Sequence, residues 1–309
     1  MSPQRRAEFR SVILPFIIFT TIWGTTWIVI RDQLGTVPAQ WSIAYRFFIA
    51  AAAMALLTRW RGESRAIGRK GFAAAALLGF LQFVVNFNAV YHAEHHITSG
   101  LVATVFALLL IPNSLLAWAF LGQKPSPRFA ISSVFAVAGI ALLFAHELGE
   151  HPARAGSILL GIGLTMIGIL GASAANVFQA LQRVQRVPLF ALLTWSMLLG
   201  AVLDAAIALV FAGPPVIETR PGYWLGLVYL AVFASAIAFS LYLPVVRKIG
   251  PAKAAYSSVL VPNIAMGFST WIEDYRWTPT AVAGVVLALG GMLGALSRSR
   301  SVVAAPDAA

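Results

Sequence analysis

The chain has 309 residues, of which 59% are hydrophobic and 11% charged, and its mean hydropathy is +0.81. This composition excludes a water-soluble globule, and the length leaves no room for a soluble catalytic domain of ~100 residues beside about ten membrane crossings. The net charge of +11 is attributed to membrane topology rather than to nucleic acid, and the absence of cysteine excludes disulfides and thiolate metal sites.

Ten continuous apolar stretches follow one another along the chain, and each is about the length of a membrane-spanning helix. The first stretch follows basic residues like a signal peptide, but it lacks a small-residue cleavage site and is predicted to be a retained span. The fold class expected is therefore an all-α integral membrane protein with ten transmembrane helices. The stretches lie near residues 12–30, 39–58, 71–91, 98–121, 128–146, 157–180, 189–212, 223–245, 252–271 and 279–297.

Lysine and arginine are distributed unevenly between alternate connections. Seventeen of the 22 lie on the side that holds both termini, four lie on the other side, and Arg46 lies within span two. Because cytoplasmic loops are enriched in these residues, both termini are predicted to be cytoplasmic.

The sequence also repeats itself at about half its length. Gly139 in span five and Gly291 in span ten are 152 residues apart, and two dipeptides recur at a spacing of 150, namely Val37-Pro38 as Val187-Pro188 and Pro112-Asn113 as Pro262-Asn263. Five helices is an odd number, so the two halves must lie in the membrane with opposite orientations. The predicted domains are residues 1–150, with spans one to five, and residues 151–309, with the inverted repeat and a short cytoplasmic tail.

Four segments carry a resemblance to a known family: Trp23-Gly24, Arg46-Phe47, Tyr91 to Pro112, and Ile249-Gly250-Pro251-Ala252 through Pro262. Together they resemble the EamA-type branch of the drug/metabolite transporter superfamily, and within it most closely the YddG-type amino acid exporters. The resemblance implies a ten-helix permease of the bacterial inner membrane. One position departs from the family pattern, because the acidic residue usual after span four is Gln123, whereas its counterpart after span nine is Glu273.

Polar and aromatic side chains inside the spans are the first candidates for a substrate path, because polar groups in hydrocarbon are unfavourable unless they meet a cavity or a partner. Trp23 and Trp27 share one face of span one, and Gln82 and Asn86 share one face of span three. Such residues also join packed helices by hydrogen bonds, which is the alternative interpretation. The residues predicted to bind substrate are Trp23, Trp27, Gln82, Asn86, Tyr91, Asn176, Tyr256 and Asn263.

Three prolines lie inside predicted spans, where each interrupts the helical hydrogen bonds. Pro112, Pro244 and Pro262 are predicted to shape the site or to act as hinges. The alternative is a static kink that neighbouring groups tolerate.

Two charged residues lie well within the spans, and both are candidates for coupling. Arg46 either meets a substrate carboxylate or extends to the nearby interface, and Asp204 either binds a coupling proton or pairs with a neighbouring helix. His92, Glu94, His95 and His96 form a cluster, which is interpreted as exposed at the external interface rather than as a metal site. No metal and no cofactor are expected.

These observations predict a secondary transporter that exports small organic metabolites, most of all amino acids including aromatic ones, by alternating access. The alternative is an exporter of drugs or other metabolites. An enzyme is not expected, because no catalytic set of residues lies at membrane depth, and a channel is disfavoured. The expected partners are a small-molecule substrate and the lipid bilayer, without nucleic acid, and the choice between monomer and homodimer stays open.

Overall fold

The computed structural model describes residues 9–254 and 257–296. Within these ranges, eight helices are long and apolar enough to cross a membrane, and two shorter apolar helices follow. Each of the ten predicted stretches overlaps one of these helices. In chain order they are α1 Phe9–Gln33, α2 Ala39–Trp60, α3 Gly68–Ala93, α4 Ser99–Leu121, α5 Pro127–Glu150, α6 Pro152–Ala180, α7 Leu189–Phe211, α8 Pro221–Ile249, α9 Ser257–Ile272 and α10 Pro279–Leu296.

Proline and glycine set several helix boundaries. Helix α4 is ended by Gly122, which adopts a left-handed conformation with φ 69°. Helix α5 begins at Pro127 and is capped by Ser126, whose side chain accepts a hydrogen bond from the Phe129 N–H. The ninth span is predicted to begin at residue 252, and helical residues are described at Pro251–Ala254 and again from Ser257. Gly250, with φ 87°, ends α8 directly before them.

Consecutive helices run in opposite directions, so the connections alternate between two ends of the bundle. We call the end that carries Arg61, Lys124, Arg186 and Lys248 the basic end, and the end that carries Arg31, Glu94, Arg154, Arg220 and Glu273 the opposite end. Large apolar side chains such as Trp60, Phe120 and Val210 are exposed on the outer surface. A lipid-facing surface has this composition.

The helices pack in a pattern that relates the two halves of the chain. Helix α2 packs on α7, α4 on α9 and α5 on α10, while α3 packs on α6 and α1 on α8. If each helix is exchanged for the one five places away, the contacts α2–α7, α4–α9 and α5–α10 map onto themselves, and α3–α6 and α1–α8 map onto each other. A pseudo-two-fold axis between the halves would produce this pattern.

Glycines allow the closest of these contacts, between α5 and α10. A methyl group added at Gly139 would lie 2.6 Å from the Gly284 carbonyl oxygen, and one added at Gly291 would lie 2.7 Å from the Ser132 carbonyl oxygen. Both atoms belong to the backbone, so no side-chain rotation relieves the overlap. The two glycines singled out by their spacing of 152 residues therefore lie in one interface.

Three helices depart from α-helical geometry near the middle of the bundle. Phe80–Val85 in α3 and Tyr229–Ile237 in α8 are π-helical, and Ala107–Leu109 in α4 is a 3₁₀ turn. The two π-helical segments lie about 150 residues apart in corresponding helices. Such segments change the direction of the side chains around them and are frequent at functional sites.

Candidate functional site

A cavity of about 110 Å³ lies at the centre of the bundle, between α1, α2, α3, α4, α6, α8 and α9. At ~10–15 Å³ for each water-sized group, this volume holds about nine such groups. Five of the eight residues predicted to bind substrate line it, together with the coupling candidate Arg46. These five are Trp23, Trp27, Gln82, Asn86 and Asn176.

Arg46 brings a full positive charge to the wall of this cavity. Its side chain is 1% exposed, so it does not extend to the interface. Its Nε donates to the Ser235 hydroxyl at 3.1 Å and its Nη1 to the Tyr91 hydroxyl at 3.3 Å, while the guanidinium lies 4.5 Å from the centre of the Phe87 ring.

These contacts orient the guanidinium without neutralising it. Among the described residues, no carboxylate lies within ion-pair distance of Arg46. An unpaired charge away from water is unfavourable, so this site gains most from an anionic ligand. A guanidinium fits a carboxylate with two parallel hydrogen bonds.

Aromatic rings form the apolar part of the wall. The Trp23 ring lies 4.9 Å from Tyr242 and 5.4 Å from Phe239, measured between ring centres, and the Trp27 ring lies 5.5 Å from Phe106. Rings at these separations attract each other through their edges and faces, so they form a stable wall. This surface suits the apolar part of a small ligand.

Three side-chain amides supply the neutral polar groups of the cavity. Gln82 lies within the π-helical segment of α3 and Asn86 directly follows it, while Asn176 lies on α6. Asn176 and Tyr242 both line the cavity. The Asn86 Oδ1 is buried without a partner among the described residues. An amide oxygen of this kind accepts a hydrogen bond from an ammonium group.

The structure does not bring the other three predicted binding residues into the cavity wall. Tyr91 is buried behind the cavity and bonds Arg46. Asn263 is exposed in a lateral groove beside Trp271 and Trp277. Tyr256 lies outside the described residues.

The second coupling candidate, Asp204, also lies outside the cavity. It is fully buried on α7, and its Oδ1 accepts a hydrogen bond from the Asn88 amide at 2.7 Å. This contact joins α7 to α3. It corresponds to the interpretation in which the carboxylate pairs with a neighbouring helix.

The prolines border irregular parts of the cavity wall. Pro112 follows the 3₁₀ turn of α4, whose Ala107 lines the cavity and accepts a hydrogen bond from the Ser258 hydroxyl at 3.1 Å. Ser257 lines the cavity from α9, 150 residues after Ala107 and five residues before Pro262. Pro244 lies within α8 and is exposed.

Above the cavity, side chains from α1, α4 and α9 close the opposite end of the bundle. The Glu273 carboxylate accepts hydrogen bonds from the Ser99 N–H at 3.2 Å, from the Ser99 hydroxyl at 2.6 Å and from the Ser269 hydroxyl. Arg31 Nε lies 3.6 Å from Glu273, and Arg31 Nη1 donates to the Glu94 carbonyl oxygen. We call Arg31, Glu94, Ser99, Ser269 and Glu273 the closing cluster.

Sequence reasoning missed this cluster and assigned Glu94 to an exposed surface. That interpretation is wrong for Glu94, whose side chain is 0% exposed. The only hint in the sequence is the pair Gln123 and Glu273, 150 residues apart. In the structure Gln123 lies beside Gly250 at the basic end of the bundle. Its counterpart Glu273 lies beside Ser99 at the opposite end.

The basic end, in contrast, holds a chamber of about 600 Å³. Its wall begins one helical turn beyond the cavity, because Ala180 follows Asn176 on α6 and Val246 follows Tyr242 on α8. No acidic side chain among the described residues lines the chamber, which has four cationic ones, Lys124, Arg247, Lys248 and Lys253. The chamber is therefore positively charged.

The two tryptophans of the cavity wall, Trp23 and Trp27, differ in their hydrogen bonds. Substituting each one therefore tests the assigned contacts of the wall. Trp23 Nε1 donates to the Ala234 carbonyl in the π-helical segment of α8 at 3.0 Å, whereas Trp27 Nε1 is buried without a partner. We expect Trp23→Phe to lower the free energy of unfolding by ~1 kcal/mol more than Trp27→Phe, because only the first removes a hydrogen bond. Thermal unfolding in detergent measures both, and equal shifts would contradict the assignment.

Comparison with known proteins relates both the sequence and the fold of this chain to others. The sequence pattern of the EamA-like transporter family matches residues 10–145 and again residues 159–297. The chain belongs to this family. A solved crystal structure of another protein superposes with a TM-score of 0.66 over 91% of this chain and 95% of that one, at 18% identity, which shows the shared fold.

Similar proteins occur in several bacteria. The uncharacterized transporter YoaV of Bacillus subtilis is 21% identical, over 91% of this chain and 95% of its own length. The "Probable amino-acid metabolite efflux pump" of Escherichia coli is 21% identical, over 89% of this chain and 91% of its own. The uncharacterized inner membrane transporter YedA of Escherichia coli is 28% identical, over 81% and 78%.

The family and the helices together settle the broad class. The chain is a multi-pass protein of the inner membrane, and its described residues include eight helices capable of spanning it. Its family and its similar proteins are transporters. Membership in a transporter family implies a small-molecule substrate and a lipid environment. The predicted family is therefore confirmed, while the YddG subgroup stays a prediction.

Proposed function

We propose that this protein is a secondary transporter that exports small carboxylate-bearing metabolites, foremost amino acids, by alternating access. The observation that carries the proposal is the buried guanidinium of Arg46, which lines the central cavity with no carboxylate of the described residues within ion-pair distance. A substrate carboxylate would supply the missing counter-charge.

The rest of the cavity fits the other parts of an amino acid. The rings of Trp23, Trp27 and Tyr242 offer an apolar surface for a side chain. The amides of Asn86 and Gln82 offer oxygens to an ammonium group. The volume of about 110 Å³ is comparable to that of a medium-sized amino acid such as leucine, which has about nine non-hydrogen atoms.

The proposed architecture is ten membrane-spanning helices in two inverted five-helix halves, residues 1–150 and 151–309. Two observations support it: the family pattern matches once in each half, and the helix contacts map onto themselves when the halves are exchanged. The excess of lysine and arginine supports a cytoplasmic basic end and cytoplasmic termini. Transporters built from inverted repeats bind substrate between the halves, near the midplane.

In this arrangement the chamber would form the cytoplasmic approach to the cavity in the described conformation. The positively charged chamber attracts carboxylates toward the cavity, and the closing cluster blocks the external end. Export would require the contacts of Glu273 with Arg31 and Ser99 to separate while the chamber closes. A catalytic role gains no support, because none of the described residues that line the cavity is a histidine, lysine, aspartate or glutamate that could act as a base.

Counterflow tests the proposal. Purified protein in liposomes is preloaded with one unlabelled amino acid from a panel, and uptake of trace labelled L-leucine is followed. We expect transient accumulation that depends on the internal amino acid and that amino acid amides do not support. Accumulation driven equally by amides, or by organic cations without a carboxylate, would contradict amino acid transport and favour a drug exporter.

A further inference from the structure

Glu94 occupies an unusual position between the cavity and the closed end of the bundle. It lies in the connection between α3 and α4, its side chain is 0% exposed, and neither carboxyl oxygen has a hydrogen-bond partner among the described residues. Tyr91, three residues earlier on the same side of α3, bonds Arg46. Glu94 therefore lies one helical turn from the proposed carboxylate site.

The charges around Glu94 come from other parts of the chain. Glu273, directly after α9, repels an ionised Glu94, whereas Arg31 on α1 and Arg46 on α2 attract it. Arg31 is already engaged, since its Nε faces Glu273 and its Nη1 binds the Glu94 carbonyl oxygen. His92 and His95 lie in the same segment as Glu94.

The balance of these contributions favours the protonated carboxyl. Burial, followed by the Glu273 carboxylate, raises the pKa of Glu94 well above its ordinary value, and the two arginines only partly oppose this. A carboxylate deprived of both water and hydrogen bonds is strongly disfavoured. Burial therefore favours the protonated carboxyl over the carboxylate at this position.

We propose that Glu94 is a proton-binding site and that its bound proton keeps Arg46 available for the carboxylate of the substrate. The second part of this statement rests on the proposed function. An ionised Glu94 would become a competing counter-ion for Arg46. The protonated form leaves the guanidinium unpaired, so substrate and proton favour each other's binding.

The direction of the coupling follows from the charges. A carboxylate on Arg46 cancels the attraction that stabilises ionised Glu94, so substrate binding raises the pKa of Glu94 further. Substrate affinity is then constant below the Glu94 pKa of the free protein. Above it, affinity falls by up to about tenfold per pH unit, and binding takes up a proton.

Infrared spectroscopy of the purified full-length protein tests the proton site without any ligand. We expect the carbonyl stretch of a protonated carboxyl at pH 7, lost at high pH and absent from Glu94→Gln. Glu94→Met provides a second neutral variant if the glutamine variant folds poorly. An ionised Glu94 in the wild-type protein at pH 7 would overturn the proposal.

A second experiment, the second arm of the test, asks whether proton binding at Glu94 and substrate binding are linked. L-leucine is the probe, and the fluorescence of the cavity tryptophans is the readout. We expect affinity to fall at high pH in the wild type and in the control Asp204→Asn, and to be much less pH-dependent in Glu94→Gln. A pH indicator should report proton uptake in the first two proteins. If Asp204→Asn instead removes the dependence, Glu94 is not the site.

The two arms separate this inference from the function on which it rests. An infrared band of Glu94 together with no leucine binding in the wild type would contradict the proposed function and the linkage, but not the proton site. Leucine binding with the same pH dependence in wild type and Glu94→Gln would contradict the linkage and retain the transporter.

Discussion

Replacing Arg46 by glutamine is expected to raise the half-saturation concentration of L-leucine counterflow by at least ~25-fold. Removing one partner of a buried charge pair costs about 2–5 kcal/mol, and 1.4 kcal/mol corresponds to tenfold. The variant should also lose its discrimination between leucine and leucine amide, since no positive charge remains to recognise the carboxylate. Counterflow with both ligands measures the two effects.

Although Arg46→Gln should weaken substrate affinity, it should not lower the thermal stability of the protein. Arg46 is buried without a counter-ion in the described structure, so replacing it removes an unfavourable charge. We expect Arg46→Gln to unfold at the same temperature as the wild type or higher. A large loss of stability would instead indicate that Arg46 holds the fold together, which contradicts its assignment to substrate.

Two further variants sharpen this prediction. Arg46→Lys keeps the charge but not the planar pair of donors, so we expect an intermediate loss of about tenfold. Arg220→Gln removes an exposed arginine that pairs with Asp32 at 2.7 Å, and it should leave leucine affinity unchanged. Equal losses in the lysine and glutamine variants would show that bidentate geometry, more than charge, decides binding.

Hydropathy predicted the helices well because membrane-spanning segments must be both continuous and apolar. Turn residues then placed several ends, as at Gly122 and Pro127. Gly250 likewise ends α8, and Pro251 opens the helical residues after it. Local chemistry thus located the elements, and their boundaries depended on single backbone conformations.

The faces of the helices were harder to predict. In a soluble protein, polarity distinguishes the outside from the inside, but lipid and protein interior are equally apolar. Asn176 and Asn263 therefore look alike in the sequence, although one lines the cavity and the other an outer groove. The π-helical segment that carries Gln82 has no sequence pattern at all.

Glu94 illustrates a different limit. A charged residue in a short connection is normally solvated, so exposure was the natural expectation. Burial arises because Arg31 from α1 and Glu273 from α9 meet over that connection, and these contacts are between residues far apart in the chain. Only the internal repeat, which singled out Glu273, brought the sequence near this cluster.

Replacing Gly139 by alanine is expected to destabilise the protein by ~1–3 kcal/mol. The added methyl group would lie 2.6 Å from the Gly284 carbonyl oxygen, so α10 has to move away from α5. Overpacking of a close interface costs this much. Gly291→Ala should behave in the same way, because its methyl group meets the Ser132 carbonyl oxygen. Thermal unfolding in detergent measures both variants.

Gly163→Ala is the matched control, because no atom lies within 4 Å of the added methyl group. Gly163 lies within α6 and is exposed, so alanine should stabilise its helix by up to ~1 kcal/mol. The same substitution should therefore have opposite signs at the two kinds of glycine. A stabilising effect at Gly139 would contradict the close contact of α5 with α10.

The transport properties of the glycine variants distinguish two roles for this helix pair. Neither α5 nor α10 lines the cavity. If the pair is a scaffold beside the moving helices, the folded fraction of Gly139→Ala should retain the wild-type half-saturation concentration for leucine. An altered half-saturation concentration would instead show that α5 and α10 take part in alternating access, because the substitution touches no residue of the binding site.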